Sequence, residues 1–424
     1  MKRISFISLA IVAILLSSMF IGSTLFHRDT PHQKIGKETE EIFDKLVEIR
    51  RDLSQYPELA GNEKRTAKVI AEHLSSFGLE VRTGVAGYGV VGILKGGKEG
   101  KNIAWRADMD AIPNRFAEKV FGAKKMAIHH ACGHDVHMAI GLGIAEVLSK
   151  NKASIKGSIY FVFQPEEETF MGAKNMVSSQ LFSELEIDEI YALHVTNFPL
   201  GQIIVKPNEM YAYQKIIQIA YNDGLSKDDL RALYDKIRNK IVRRADSANP
   251  WEVQKAFDPS IGISNPQSNF SDYRFLTENF YVEEDNNQLK LMAELYETEK
   301  SNLPKILAEI EQIVKRSEFK RDFIDISYIQ ENPTVMNDPE LTPKAMEILN
   351  NIYGAETVKE SYGQIPYFND DFIYFQQKVP GVYFLFGASN SEKGIVAMNH
   401  APNFNVDEDC IKIGVKTFAS LILE

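Results

Sequence analysis

The stretch Ser158-Ile159-Tyr160-Phe161-Val162-Phe163-Gln164-Pro165-Glu166-Glu167-Glu168 decides the fold. Its first half is a short run of aromatic and β-branched residues, which reads as a buried strand. Proline ends the run and three glutamates follow. A glutamate run is usually a solvated face, but directly after a buried strand it is out of place as decoration. The arrangement recurs. Asp108 and Asp110 follow an apolar run that begins at Ile103, and His194 follows Tyr191-Ala192-Leu193. Other apolar runs, Val90 to Leu94 and Val382 to Phe386, alternate with helical stretches such as Met138 to Leu148. Strands alternating with helices predict an α/β sheet. Open α/β sheets bind ligands outside the carboxyl ends of their strands. Three separate segments thus deliver metal-type side chains to one edge.

A fourth segment, His130-Ala131-Cys132-Gly133-His134-Asp135, places a thiol and an imidazole two residues apart in a glycine loop. Zinc accepts thiolate, imidazole and carboxylate together. His400 lies in the loop Met398-Asn399-His400-Ala401-Pro402, after the Val382 run. Taken singly, each residue reads more readily as ordinary: a small buried cysteine, a core histidine, a surface-loop histidine. Together Cys132, His134, Glu168, His194 and His400 suit two divalent ions with positions open for water and substrate. Adjacent glutamates can divide the work, Glu168 ligating while Glu167 handles a proton.

The chain has 424 residues, 44% of them hydrophobic and 25% charged, which is ordinary for a globular protein of two to three domains. A net charge of -10 excludes the basic footprint of a nucleic-acid binder. The amino terminus differs: Lys2 and Arg3 precede an apolar run from Ile4 to Phe26. This predicts residues 1–30 to be a secretory signal or an uncleaved anchor, hence export to a periplasmic or extracellular place or attachment to a membrane. The chain's two cysteines, Cys132 and Cys410, are read as unpaired, because a metal-binding Cys132 must stay a thiolate.

Residues 38–55 carry apolar positions at helical spacing, and a second helix is expected from a cap at Asn62 to a stop at Gly78. From Tyr211 to Ser327 the texture becomes charge-rich. Helices are expected at Lys227 to Arg244 and Leu303 to Lys315, and a strand pair at Ile216 to Tyr221 and Leu289 to Leu295. Asn249-Pro250, Asp258-Pro259 and Asn265-Pro266 punctuate the middle. This reads as an α+β unit, 211–327, inserted between two parts of a metal-binding unit, 31–210 and 328–424.

The order Arg106-Ala107-Asp108-Met109-Asp110-Ala111-Ile112-Pro113, His130 to His137, Phe163-Gln164-Pro165, Glu167-Glu168, Leu193-His194-Val195, Asp370-Asp371-Phe372 and Asn399-His400-Ala401-Pro402 resembles the aminoacylase/carboxypeptidase family of dinuclear metallopeptidases, most of all its amidohydrolase branch. That branch includes hippurate, indole-acetyl-amino-acid and aminobenzoyl-glutamate hydrolases and N-acetyldiaminopimelate deacetylases. The resemblance spans about Glu38 to Val205 and Pro333 to the end. It implies a zinc-peptidase-like α/β catalytic domain with an inserted ferredoxin-like lid, often used to form homodimers. It implies two divalent ions (Zn, Mn or Co) on Cys132, His134, Glu168, His194 and His400, with Cys132 bridging. Glu167 matches the general base, and Asp108 and Asp110 match positions beside the ligands rather than among them.

The lid departs from the pattern. The family carries a histidine after its first lid strand; here the region reads Tyr221-Asn222-Asp223-Gly224-Leu225-Ser226. Tyr296 stands where a substrate-binding arginine is usual. The expected activity is hydrolysis of the amide bond of an N-acyl amino acid or small peptide-like substrate. A carboxypeptidase or dipeptidase on the same site is the alternative, and a metal-stabilised scaffold without turnover is the rival from another class. A zinc nucleobase deaminase is disfavoured, because its Pro-Cys-x-x-Cys half is absent.

Overall fold

The computed structural model describes residues 29–113, 128–222, 224–243, 253–285 and 287–424. The Ile4 to Phe26 run and Asn249-Pro250 lie outside the described residues. Among those described, no helix is long and apolar enough to cross a membrane.

The apolar runs form one large mixed sheet. Its eight strands run in the order Glu80–Val85, Gly89–Lys95, Ser158–Gln164, Ile103–Asp108, Glu189–Pro199, Gly381–Ser389, Ile203–Val205 and Val358–Glu360. The central pairings are parallel. Asp108 is in register with Gln164, so two neighbouring strands end at the same level. The helix His134–Lys150 is buried from His134 to Leu148 and packs between this sheet and the helices Pro31–Gln55 and Asp409–Leu423. Trp105 meets Phe418 at 5.1 Å between ring centres in that layer. Phe161 and Phe163 are likewise fully buried, each contributing about 1.5–3 kcal/mol.

A second sheet is antiparallel. Arg274–Leu276, Gln288–Glu297, Tyr213–Asn222 and Phe323–Gln330 lie in that order, with Tyr281–Asp285 also paired to Gln288–Glu297. With helices Lys227–Ile241 and Leu303–Lys315, its main elements follow the β-α-β-β-α-β order of ferredoxin-like units. Alternate strand residues (Ile217, Ile219, Leu291) meet Leu230, Leu233 and Ile306 of the helices in one core. Residues 253–273 pack elsewhere. Phe257, Phe270 and Tyr273 join Phe198, Phe372 and Tyr383 of the large-sheet unit in a separate apolar cluster.

Several local expectations are corrected. The strand through Leu193 does not stop before His194; it runs to Pro199, because Val195 and Thr196 stay in register with Phe386 and Gly387. The first helix begins at Pro31, since Thr30 and Gln33 form a capping box. Asn62 does not cap the second helix, Lys64–Ser76. Its side chain turns back to Ala60, and the Glu58 carboxylate accepts the Arg65 and Thr66 N–H groups instead. The helix predicted to reach Arg244 ends at Ile241, where Arg243 leaves to exchange backbone hydrogen bonds with Arg274. The strand near Ile326 belongs to the second sheet and continues to Gln330, past the expected boundary at 327.

Candidate metal centre

The loop before the central helix is forced into shape by Gly133. Its φ is +91°, and a Cβ there would lie 2.2 Å from a Val195 methyl. Cys132 and His134 are therefore pressed against the strand that carries His194. Cys132 Sγ lies 3.3 Å from His194 Nε2. The last loop is knitted to the same place. The His400 N–H donates to the Ala131 carbonyl at 2.8 Å, and Asn399 Nδ2 donates to the carbonyls of Cys132 and Val195. His400 takes a left-handed φ of 60°, and its Nε2 reaches Glu168 Oε1 at 3.2 Å. Glu168 sits in a short turn with left-handed residues on either side, Glu166 and Phe170.

All five ligand candidates come together, in two groups that share one residue. Cys132, His134 and His194 form one group and Cys132, Glu168 and His400 the other, their ligand atoms within 4.8 Å of one another in each. The chemistry of the groups fits two cations. His134 Nδ1 donates to the Asp110 carbonyl at 2.8 Å, and its buried Nε2 has no hydrogen-bond partner, so Nε2 is the nitrogen left for a cation. His194 Nδ1 is held by the Val195 carbonyl at 2.8 Å, which turns its Nε2 toward Cys132 Sγ. Burial, then His137, pushes the His194 imidazole well below its usual value, so it is a neutral donor. Burial, then Glu168 and Glu167, pushes the Cys132 thiol well above its usual value. A thiolate in such a place needs a cation beside it. Burial alone would lower His134, but Asp108 and Asp110 raise it to about 10, another sign of excess negative charge.

Asp110 touches two of these side chains: its carbonyl holds His134, and its Oδ2 accepts the Glu168 N–H at 3.0 Å. Asp108 turns to His137 at 2.6 Å and to Arg106 at 2.6 Å, and stays 3.9 Å from His134 Nε2. Glu167 lies outside both cysteine-sharing groups, buried, 3.7 Å from His134 Nε2. Burial, then Asp370 and Glu168, pushes its carboxyl well above the usual range.

Several supporting side chains carry no residue-level signal in the sequence. His137 is engaged on both ring nitrogens, donating to Asp108 and accepting the Val195 N–H at 2.9 Å, so it positions rather than ligates. Arg106 is fully buried among Asp108, Asp370, Asp371 and Gln164. Glu63 accepts the N–H of Glu166 at 2.9 Å and of Gly61 at 3.1 Å, fixing the turn that presents Glu167 and Glu168. His130 is buried with neither ring nitrogen bonded, and burial lowers it to about 4. In the second sheet, the Tyr296 hydroxyl donates to Glu294 at 2.6 Å and accepts from Gln214 at 3.1 Å.

Residues 104–424 match the model of peptidase family M20/M25/M40. The chain belongs to that family. It is 31% identical over 413 residues to thermostable carboxypeptidase 1 of Saccharolobus solfataricus, covering 92% of this chain and 98% of that one. It is 26% identical to the N-acetylcysteine deacetylase of Bacillus subtilis, over 89% of this chain and 96% of the other. In fold it resembles a Bacillus subtilis dinuclear metal-binding peptidase of the M20 family, with a TM-score of 0.69 at 23% identity, covering 91% of this chain and 98% of that one. As an M20 member the chain is a metal-dependent hydrolase of C–N amide bonds.

Proposed function

We propose that this M20 protein cleaves the amide bond of N-acyl amino acids or small peptide-like substrates, with Glu167 as general acid/base. The observation that carries this reading is a buried carboxylate left outside two adjoining ligand groups. Cys132, His134 and His194 would hold one divalent ion, and Cys132, Glu168 and His400 the other. When bound, such ions supply a water of lowered pKa and positive charge facing the carbonyl oxygen. Glu167 takes the proton of the attacking water and returns it to the departing amine nitrogen. Its raised proton affinity, from burial, Asp370 and Glu168, suits that exchange. Asp110 and His137 hold the ligand side chains and the Val195 backbone in place.

The test is Glu167→Gln. Turnover falls by about 10²–10⁴-fold, while metal analysis still finds the parent's metal content. Unchanged turnover overturns the assignment.

Carboxypeptidase action is the second reading, favoured by the carboxypeptidase relative; a panel of N-acyl amino acids and dipeptides separates the two. The lid and dimer roles of residues 211–327, and export or anchoring by Lys2, Arg3 and the Ile4 to Phe26 run, belong to the same proposal. Their supports are the resemblance and the charge-then-apolar pattern. A monomer in size-exclusion chromatography, or a wholly cytosolic protein on cell fractionation, would overturn them.

A further inference from the structure

At one end of the large sheet, the helix Lys64–Ser76 and the strand Glu80–Val85 enclose a groove of about 770 Å³. One wall is a single face of the helix, Lys64, Ala67, Lys68, Ala71, Glu72 and Ser75, spaced three and four residues apart. Val81 and Thr83, which share a face of the strand, and Tyr88 line the rest. Ala71, Val81 and Tyr88 are partly buried against the main core, so the groove is a seam where that core is left open. The helix wall runs beside the whole strand, because 13 helical and 6 strand residues each span about 20 Å. Glu80–Val85 is the outermost strand. It pairs with Gly89–Lys95 on one side, and among the described residues no strand pairs with the other. The register slips at Gly84, so the straight edge runs from Glu80 to Thr83. Its outward N–H and C=O groups are a template for another strand.

The charge beside this edge is opposite to that of the chain. Four cations (Lys64, Lys68, Arg82 and Lys95) stand there with two carboxylates, Glu72 and Glu80, all six exposed, in a chain of net charge -10. Arg82 and Lys95 share the Glu80 carboxylate at 2.5 and 3.4 Å, and Lys68 reaches Glu72 at 3.8 Å. Exposed pairs of this kind are weak, so the cations stay available to other carboxylates. We infer that an extended, acidic segment of a partner protein docks here as an added strand. Its backbone bonds to the outward groups of Glu80 to Thr83. Alternate side chains enter the groove against Ala67, Ala71 and Val81, and its carboxylates meet Lys64 and Lys68. Backbone pairing supplies affinity whatever the sequence, so the groove and the lysines carry the selection. A basic segment is refused by charge, and a proline-bearing one because it lacks N–H groups.

The probe is a fluorescein-labelled peptide, Glu-Val-Thr-Val-Thr-Glu-amide, titrated into the metal-loaded protein. Anisotropy should rise to saturation, and hydrogen exchange should slow at the outward amides of residues 80–83. A peptide with lysine for glutamate, or with proline for both threonines, should bind about tenfold more weakly or worse. Lys64→Glu/Lys68→Glu should weaken the acidic probe about tenfold and strengthen the basic one. Ala71→Arg, which fills the groove, should remove the protection. No saturation by about 1 mM probe overturns the inference. So does binding that leaves exchange at residues 80–83 unchanged, or undiminished affinity in the charge-reversed variant with the parent's thermal melt. Outward amides already protected before the probe is added mean that a second copy or another segment of the chain covers the edge, which overturns it as well.

Discussion

Each half of the molecule buries a charge network, and the two networks are opposite in sign. Beside the candidate ligand groups a single cation, Arg106, lies among Asp108, Asp370 and Asp371 at 2.6, 2.9 and 3.2 Å. In the second sheet a single anion, Glu297, lies between Arg243 and Arg274 at 2.8 and 2.6 Å. The second network leads outward. Arg243 goes on to Asp272 and Arg274 to Glu309, both about half exposed, so solvent completes it. The first has no such exit, because all four side chains are fully buried. Above it stand Asp110, Glu167 and Glu168, which add negative charge without adding a cation. The second sheet is thus electrically finished by its own residues and by water. The catalytic half is finished only when positive charge is brought to Cys132 and its neighbours.

The largest effect expected from this contrast is at Arg106. Arg106→Met leaves three buried carboxylates facing one another, and the loss of a buried pair's partner costs about 3–5 kcal/mol. Urea unfolding of the metal-loaded protein measures it. A loss below about 1 kcal/mol, the scale of an exposed pair, would break the comparison. Glu297→Gln is the counterpart. The two arginines lose their ionised acceptor, and the amide NH2 faces one of their donors where an oxygen accepted before; this costs about 1.5–3 kcal/mol, while both arginines keep their outer partners. Thermal melts measure the cost, and metal analysis should show the parent's stoichiometry. A fall in bound metal would mean that the two networks are coupled.

Much of the catalytic half was legible because its signals are local. An apolar run that ends in acids marks a strand end, as at Asp108 and before Glu167 and Glu168, and it is the joint set of thiol, imidazole and carboxylate that separates ligands from decoration. The helices of the second sheet were legible for a similar reason: Leu303–Lys315 keeps one apolar face at helical spacing, with Ile306, Ile310 and Val314 buried. The supports were not legible. Arg106 meets an aspartate 264 residues away, and nothing near either residue announces the other. His137 reads as one more histidine on a helix until the Val195 N–H is seen to occupy its second nitrogen. Asn62 looks like the cap of the second helix in the sequence because the accepting carboxylate, Glu58, belongs to the preceding loop. The 253–273 segment has no single period, since it fills an apolar seam against Phe198 and Phe372 rather than forming a face.

Glu63 gives the smallest effect and the finest test of charge balance. It is fully buried, and one of its oxygens has no partner. Burial, only partly offset by the backbone N–H groups of Glu63, Glu166 and Gly61, raises its carboxyl from 4.5 to about 7. A raised carboxyl binds its proton more tightly folded than unfolded. Its contribution to stability is therefore complete below about pH 4.5, declines through the interval up to pH 7, and is absent above. Glu63→Gln cannot titrate, keeps one carbonyl oxygen for the Glu166 N–H, and should remove this slope. Relative to the parent, the variant should gain about 1–2 kcal/mol between pH 5 and pH 8, a fraction of the full linkage because the group relaxes locally. Thermal melts of both proteins at the two pH values measure the difference. A variant whose offset from the parent is the same at pH 5 and pH 8 would show that Glu63 stays ionised in the fold. The excess negative charge of the catalytic half would then extend to the turn that presents Glu167 and Glu168.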